Sequence, residues 1–563
     1  MIELIAHNLA PIIFFSLIFF LLLGYPVAFT LAANGLFFFA IGVWLAPYSG
    51  GEITLSWSLI GTMPQRLWGV FSSDTLLAIP FFTLMGIILE RSGMAEDLLE
   101  TVGQLFGPIR GGLTYAVILV GALLAATTGV VAASVIAMGL ISLPIMLRYG
   151  YDRRIAAGVI TASGTLAQII PPSLVLIVLA DQLGRSVGDM YTGAIVPGLI
   201  MVVVYMIYIL LVSLIRPNWV PALPIEERTL GRGVTSLLVA LAVMTAIGYA
   251  AHVYLYERIG PNADILGAVV GVVAVFTYTA ADKVLGWNTM SRLAQQVIMV
   301  LIPPLGLIFL VLGTIFIGLA TPTEAGAMGA VGAIAMAYFK RRLTMGLMTQ
   351  AVAATTRLSA FVMFILIGAR VFSLTFYGVN GHVWVEELLT SVPGGAIGFL
   401  IVINVILFIL GCFLDFFEIA FIIVPLLIAP AEAFGIDLIW LGVVIAMNLQ
   451  TSFLTPPFGF ALFYLRSVAA KVPYLDKVTG KKMEPVTTPQ IYAGAVNFIV
   501  LQVIMISVVV MFPNLVMHYK GVVIDPSTVT ITVPQLQPLG APGGGSTLPT
   551  LGAPNLGAPV VTP

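Results

Sequence analysis

The sequence predicts an all-α polytopic membrane protein made of two inverted repeats, each holding a re-entrant hairpin and a helix broken at a Pro-Pro pair. Three observations carry this. Of 563 residues, 60% are hydrophobic and 9% charged, whereas a soluble domain carries about 25% charge. Two proline pairs, Pro171-Pro172 and Pro456-Pro457, sit inside long apolar segments. Proline removes a backbone donor and clashes with the preceding turn, so each pair is expected to break its helix at mid-depth. The two pairs also correspond. Sliding the chain by 285 residues lays Gly150-Tyr151-Asp152 on Gly435-Ile436-Asp437, Val159 on Val444, Ser163 on Asn448 and one proline pair on the other. At slightly different offsets Pro144 meets Pro425, and Tyr191-Thr192-Gly193-Ala194 meets Tyr492-Ala493-Gly494-Ala495.

Apolar runs of about 20 residues can span a bilayer. An N-terminal scaffold, 1–70, is expected to hold spans at 9–31 and 32–47 and a more polar interfacial stretch with Trp57, Arg66 and Trp68. The first apolar run, 9–23, lacks a basic flank and an A-x-A site, so no cleavable signal is expected. The first repeat, 71–215, opens with an apolar segment interrupted by Pro80. An amphipathic stretch at 91–110 follows, with Leu98, Leu99, Val102 and Leu105 on one side. The run 112–147 is too long for one straight span and too short for two. Its centre, Thr127-Thr128-Gly129, is small and polar, which predicts a hairpin tip. A helix from 155 breaks over 163–173 and resumes to 180, and a span at 192–215 follows. The region 216–295 is a polar linker with two added spans, 233–253 and 263–281. The second repeat, 296–515, is expected to hold spans at 296–318, 322–339 and 356–376. Its second hairpin covers 395–429 with Gly411, Asp415 and Glu418, its broken segment covers 438–465, and a last span covers 490–512. The tail, 516–563, repeats Leu-Gly-Ala-Pro and reads as disordered. Basic clusters at 148–154, 340–342 and 471–482 are the best cytoplasmic candidates. Inverted repeats put equivalent loops on opposite faces, so the three are not expected to share one face, and orientation stays open.

Composition narrows function. A net charge of -1 argues against a nucleic-acid surface. Cys412 is alone, and the four histidines show no metal spacing. Ser163 has no histidine or lysine near it in sequence, and Asp152 is flanked by Arg153 and Arg154 in a hydrophilic loop, so no enzyme is expected. No carboxylate ring suggests a cation channel. Matched helix breaks in two halves of a chain are instead the sequence pointer to a secondary transporter's binding site. Short polar groups flank both breaks: Ser163, Thr165, Gln168 and Ser173 at the first, and Asn448, Gln450, Thr451, Ser452 and Thr455 at the second. Singly, each is as readily a hydroxyl bonded back to its own helix. Clustered at unwound turns, hydroxyls and freed carbonyls make an oxygen cage suited to sodium, while inward helix N-termini suit an anionic substrate. Asp415 and Glu418, inside an apolar run, either pair structurally or support the second tip.

Ala-Ile-Pro-Phe-Phe (78–82), Gly-Tyr-Asp (150–152), Ile-Ile-Pro-Pro-Ser (169–173), Ala-Thr-Pro-Thr-Glu-Ala (320–325) and Asn-Leu-Gln-Thr-Ser-Phe-Leu-Thr-Pro-Pro (448–457) resemble the large permease subunit of TRAP transporters, the tripartite ATP-independent periplasmic transporters. The likeness runs from about residue 9 to 515 and is nearest the branch labelled mannitol or chloroaromatic. It implies a sodium-coupled importer of an organic acid in a bacterial inner membrane, working by an elevator motion. The implied partners are a small membrane subunit and a periplasmic substrate-binding protein, with sodium as the coupling ion and no other cofactor. Carried onto this chain, one sodium site uses Thr128 with Ala167, Ile170 and Pro171. The other uses Gly411 with Ser452, Thr455 and Phe458. Substrate lies between them near Ser163, Gly164, Gln168, Asn448 and Thr451. A proton-coupled organic anion carrier of the same fold is the alternative. Three departures stand out. The family's Ser-Gly-Ser tip is Thr128-Gly129-Val130, a glycine before the first Ile-Ile is displaced by Ala167-Gln168, and a glutamate after Asn-Leu is Gln450.

Overall fold

In an apolar phase every backbone N–H and C=O must pair within its own segment. The Leu-, Ile-, Val- and Ala-rich runs therefore fold as helices. The computed structural model describes residues 2–520 apart from 231, 232, 261, 262, 457 and 477, so Pro457 and the tail beyond 520 lie outside the described residues. Among the described residues eight helices are long and apolar enough to cross a bilayer, or up to eleven if each bent pair counts once.

Several boundaries differ from expectation. The first two spans are Leu9–Leu22 and Val27–Leu45, parted at Gly24 (φ +82°) and Pro26 rather than at 31. Helix Asp74–Arg91 runs through Pro80 unbroken. Met345–Gly378 begins well before 356. A third pair, Pro303-Pro304, lies inside the continuous helix Arg292–Phe316. A proline pair alone therefore does not break a helix here. At Pro171-Pro172 other backbone meets the pair, with Gly129 against Leu174 N and the Pro172 carbonyl. The added spans, Val234–Ile259 and Ala263–Leu285, pack through Gly248 against Gly267 and Gly271, the small-residue spacing that lets membrane helices approach closely.

The repeat is written into the caps. Each hairpin's return arm ends at a left-handed glycine, Gly150 (φ +80°) or Gly435 (φ +66°). The N–H two residues past the cap reaches back to close the turn, Tyr151 to the Met146 carbonyl (3.0 Å) and Ile436 to the Ala431 carbonyl (2.9 Å). Asp152 Oδ1 then accepts from Arg154 N (2.8 Å) and Ile155 N (3.4 Å). Asp437 Oδ1 accepts from Ile439 N (2.8 Å) and Trp440 N (3.2 Å). A carboxylate N-cap satisfies orphan donors and the helix dipole, which explains why Gly-x-Asp recurs.

Each broken helix is also gripped by the other repeat. Gly494, on helix Thr488–Met511, presses on the Arg154 carbonyl and Gly158. Its counterpart Gly193, on helix Val187–Ile215, packs against Val516 and the Ile439 side chain, which a Cβ there would approach to 3.3 Å. Arg154 and Ile439 stand at the same 285-residue offset.

Two ion pairs show that the repeats are inverted. Arg148, closing the first hairpin, binds Asp476 in the loop after the second break (2.9 Å), and Arg185, after the first break, meets Glu432, closing the second hairpin (3.5 Å). The loop entering one broken helix thus shares an end of the molecule with the loop leaving the other. Arg148 makes three hydrogen bonds to Asp476, whose carboxyl it holds well below the usual carboxylate range.

All three basic clusters lie at one end, contrary to expectation. Lys340 and Arg342 both bind Asp97 (2.9 Å each). The amphipathic helix Met94–Phe106 carrying Asp97 is tied to the interdomain loop by Leu223 N to the Gly107 carbonyl, and that loop is tied to Asp152 by Asp152 N to the Trp219 carbonyl. The expectation failed because none of the clusters is another's repeat equivalent: that of 148–154 is 433–439, which holds Asp437 and no basic residue. The positive-inside rule favours this end for the cytoplasmic face.

Candidate ion and substrate site

The first hairpin folds from Gly112–Thr128 and Val131–Arg148, joined at Gly129 (φ +61°) and Val130. The first broken helix runs Arg153–Thr165, tightens into a single 3-10 turn over Leu166–Gln168, and resumes as Leu174–Gln182. Tip and break meet. A Cβ on Gly129 would lie 3.1 Å from Leu174 N and 3.5 Å from the Pro172 carbonyl oxygen. Helix Asp74–Arg91 backs the tip, since a Cβ on Gly86 would lie 2.9 Å from the Thr127 carbonyl oxygen. Ala167 and Pro171 are buried and Ile170 is half-buried. Thr128 Oγ1 bonds both the Leu124 carbonyl (2.9 Å) and Ser134 Oγ (2.9 Å). Ser173 Oγ bridges the break by donating to the Gln168 carbonyl (3.0 Å).

The second hairpin folds from Gly395–Gly411 and a return arm bent by 52° between Phe416–Ile422 and Val424–Ala433. Its partner runs Leu438–Ser452 and Phe460–Val468. Gly411 abuts the Ser452 side chain, so any Cβ there would collide with that hydroxyl. Ser452 Oγ donates to the Leu449 carbonyl (3.0 Å) and Thr455 Oγ1 to the Thr451 carbonyl (2.9 Å). A hydroxyl that donates its proton to its own helix keeps its lone pairs free for a cation. The Phe458 ring is 60% exposed against Phe413, which leaves only its backbone for the site. Asp415 and Glu418 form a capping box on the return arm: Phe416 N donates to Asp415 Oδ1 (2.8 Å) and Asp415 N to Glu418 Oε2 (3.0 Å).

At each meeting point two helices end and two begin. The first arm and the first half-helix bring carbonyl-rich C-termini, and the return arm and second half-helix bring N-termini. C-terminal carbonyls favour a cation and N-termini an anion.

Of the residues predicted to hold substrate, Ser163 lies beneath Gly121 of the hairpin, and Gly164 lies beneath Val135. Thr451 is buried with its hydroxyl on the Met447 carbonyl (3.1 Å). Asn448 Nδ2 donates to the carbonyl and Oδ1 of Asn404 (2.8 and 2.7 Å), tying break to hairpin. Both amide atoms of Gln168 and the side-chain oxygens of Asn448, Gln450 and Gln502 are buried without a partner. Left without water or ligand, each such group costs about 1–3 kcal/mol.

Sequence reasoning missed Ser134, Asn404, Tyr205 and Gln502. The last two make a polar knot between the repeats. Tyr205 Oη accepts from Gln502 Nε2 (2.7 Å) and Gln450 Nε2 (3.2 Å), and Gln502 also reaches Thr165 Oγ1 (3.4 Å). Thr165 and Gln450 are repeat equivalents, 285 residues apart. No signal in one helix announces a partner two helices away in the fold.

Among the described residues no three His, Cys, Asp or Glu side chains converge. The donors at both tips are hydroxyl and carbonyl oxygens, a set that fits a hard cation rather than a transition metal. A family model for the tripartite ATP-independent periplasmic transporter, DctM component, matches residues 14–515, which takes in both hairpins and both breaks. The chain belongs to the DctM family. This DctM permease is 30% identical over 414 residues to the C4-dicarboxylate TRAP transporter large permease protein DctM of Pseudomonas aeruginosa, covering 73% of this chain and 81% of that one. It is 25% identical over 504 residues to the ectoine TRAP transporter large permease protein TeaC of Halomonas elongata, covering 89% and 96%. Among solved structures the YdaH transporter of Alcanivorax borkumensis aligns with a TM-score of 0.47 at 15% identity, over 86% of this chain and 99% of that one. The permease is thus a multi-pass protein of the bacterial inner membrane, and its relatives are permeases. Systems of this family are tripartite, which implies two further components as partners.

Proposed function

We propose that this permease imports a carboxylate-bearing organic acid handed over by the periplasmic binding protein, driven by sodium through an elevator motion. The observation that carries the reading is the duplicated contact of tip and break: Gly129 on the Pro172 carbonyl, Gly411 on Ser452. Thr128, Ala167, Ile170 and Pro171 would hold one ion, and Gly411, Ser452, Thr455 and the Phe458 backbone the other. Sodium supplies positive charge that ties each tip to its break, so the hairpins stay shut over substrate only when ions are bound. The substrate carboxylate would face the N-termini of Leu174–Gln182 and Phe460–Val468, near Ser163, Gly164, Gln168, Asn448 and Thr451. Hairpins and broken helices then slide as one body against the N-terminal scaffold.

Proteoliposomes with all three components are expected to accumulate substrate under an inward sodium gradient and to fail under a proton gradient alone. The proton-coupled alternative draws on half-buried Asp415 and buried Glu418, four and seven residues past the second tip. Equal uptake under the proton gradient would select it.

Thr455→Val keeps shape and removes one hydroxyl. Losing a hydroxyl ligand at about 1 kcal/mol raises half-saturating sodium roughly fivefold. Unchanged sodium dependence would remove Thr455 from the site.

A further inference from the structure

A cavity of about 370 Å³, lined by none of the tip residues, lies between the helix Met345–Gly378 and the hairpin-bearing half of the molecule. Its size is that of a small-ligand pocket. Two guanidiniums face it. Arg66 comes from the surface helix Met63–Phe71 and Arg370 from inside Met345–Gly378. Arg370 stands eight residues before that helix ends, about 12 Å at 1.5 Å per residue. Its side chain is exposed there, open to the cavity. Among the described residues no carboxylate comes within 4 Å of Arg370 and no hydrogen-bond acceptor serves it. The one carboxylate lining the cavity, Asp181, accepts from Ser73 Oγ (3.2 Å) and Gln182 Nε2 (2.8 Å) and lies close enough to Arg370 to interact with its charge. Two cations against one anion leave the cavity with a net positive charge, with Ser373 and Tyr377 adding hydroxyls.

The position adds to the chemistry. Asp181 and Gln182 end the first broken helix, and Phe421 and Pro425 belong to the second return arm. An occupant would therefore touch both the helices that carry the breaks and the long helix beside them. Arg185 and Glu432 mark this end as the one opposite the basic clusters, the end that the positive-inside rule assigns to the periplasm. We propose that Arg66 and Arg370 form a reception site for a small organic carboxylate, occupied before the anion reaches the two tips. The proposal rests on the organic-acid reading for its ligand class. Planar guanidinium forks match a carboxylate's two oxygens, which is the geometry a single lysine lacks.

The test uses the full chain in nanodiscs of zwitterionic lipid, with choline replacing sodium so that the ion-dependent tip sites are silent. Succinate, pyruvate and inorganic phosphate are titrated in turn by calorimetry. At least one carboxylate is expected to bind, with its half-saturation raised tenfold or more by Arg370→Gln and by Arg66→Gln. Arg370→Lys, which keeps the charge within the span, is expected to recover part of the loss. Arg66→Gln sits on a surface helix and reports on the site even if Arg370→Gln fails to fold. Binding of neither carboxylate, binding indifferent to both arginine variants, or binding of phosphate in preference to both carboxylates (the mark of a lipid headgroup site) would each overturn the proposal. If carboxylate binding follows the arginines while uptake ignores the sodium gradient, the reception site stands and the sodium-coupled reading falls.

Discussion

Gly158→Leu is expected to leave no stably folded permease, and Gly158→Ala to lose about 1–3 kcal/mol of stability. The reason is backbone against backbone. A Cβ at 158 would press into the Gly494 carbonyl, with its carbon at 2.8 Å and the Phe498 ring at 3.0 Å. The ring cannot retreat freely, because Tyr205 and Tyr208 stack edge-on to it at 5.2 and 5.1 Å. Even one methyl therefore drives the first broken helix away from Thr488–Met511, the contact that binds one repeat to the other. Gly346→Ala is the control. It is helical too, but its Cβ would meet only Thr344 Oγ1 at 4.0 Å, and alanine in a helix gains up to about 1 kcal/mol over glycine. Thermal unfolding in detergent, followed by size-exclusion of the fluorescent fusion, should rank Gly346→Ala at or above wild type and Gly158→Ala clearly below. Equal melting temperatures for the two would mean that the repeats do not meet as described.

The same contact shows what could be read from the chain and what could not. Gly-x-Asp at a 285-residue spacing was visible because its cause is local: glycine ends one helix and aspartate starts the next within three residues. The hairpins were visible because 36 apolar residues with a polar centre fit neither one span nor two. Proline pairs were a weaker signal than they looked, since Pro303-Pro304 has the same chemistry and bends nothing apart. What distinguishes Pro171-Pro172 is the tip that meets it, a tertiary fact. The Tyr205 knot joins residues 245 and 297 positions apart, and Thr128 finds its partner in Ser134 only because the chain reverses at Gly129. Membrane sidedness was illegible for a related reason. Charge counts need to know which loops share an end, and that comes from long-range pairs such as Arg148–Asp476, Arg185–Glu432 and Lys340–Asp97. Arg370 was passed over because an isolated arginine in an apolar run becomes meaningful only beside its cavity.

Gly411→Ala is expected to raise half-saturating sodium about tenfold, roughly 1.4 kcal/mol of ion binding, while leaving the protein folded. The added methyl would occupy the place of the Ser452 hydroxyl, with Ser452 Cβ at 2.9 Å and Leu449 Cδ2 at 3.3 Å. Ser452 must turn away or the tip must lift from the break. Either way one oxygen and the tip carbonyls leave the ion together. Folding is spared because Gly411 is the last residue of its arm, at the bend of the hairpin rather than in a helix contact of the kind Gly158 makes. A steric effect and a ligand effect can be separated by a cycle. Ser452→Ala alone removes the hydroxyl but keeps the tip seated, so its loss should be smaller, near fivefold by the worth of one hydroxyl. If the two residues act at one ion, the double variant should be no worse than the poorer single variant, because the methyl then has no hydroxyl to displace. Multiplying losses would place the two effects at different points in the transport cycle. Sodium dependence untouched by Gly411→Ala would detach the second tip from ion binding altogether, and with it the reason for two equivalent breaks in one chain.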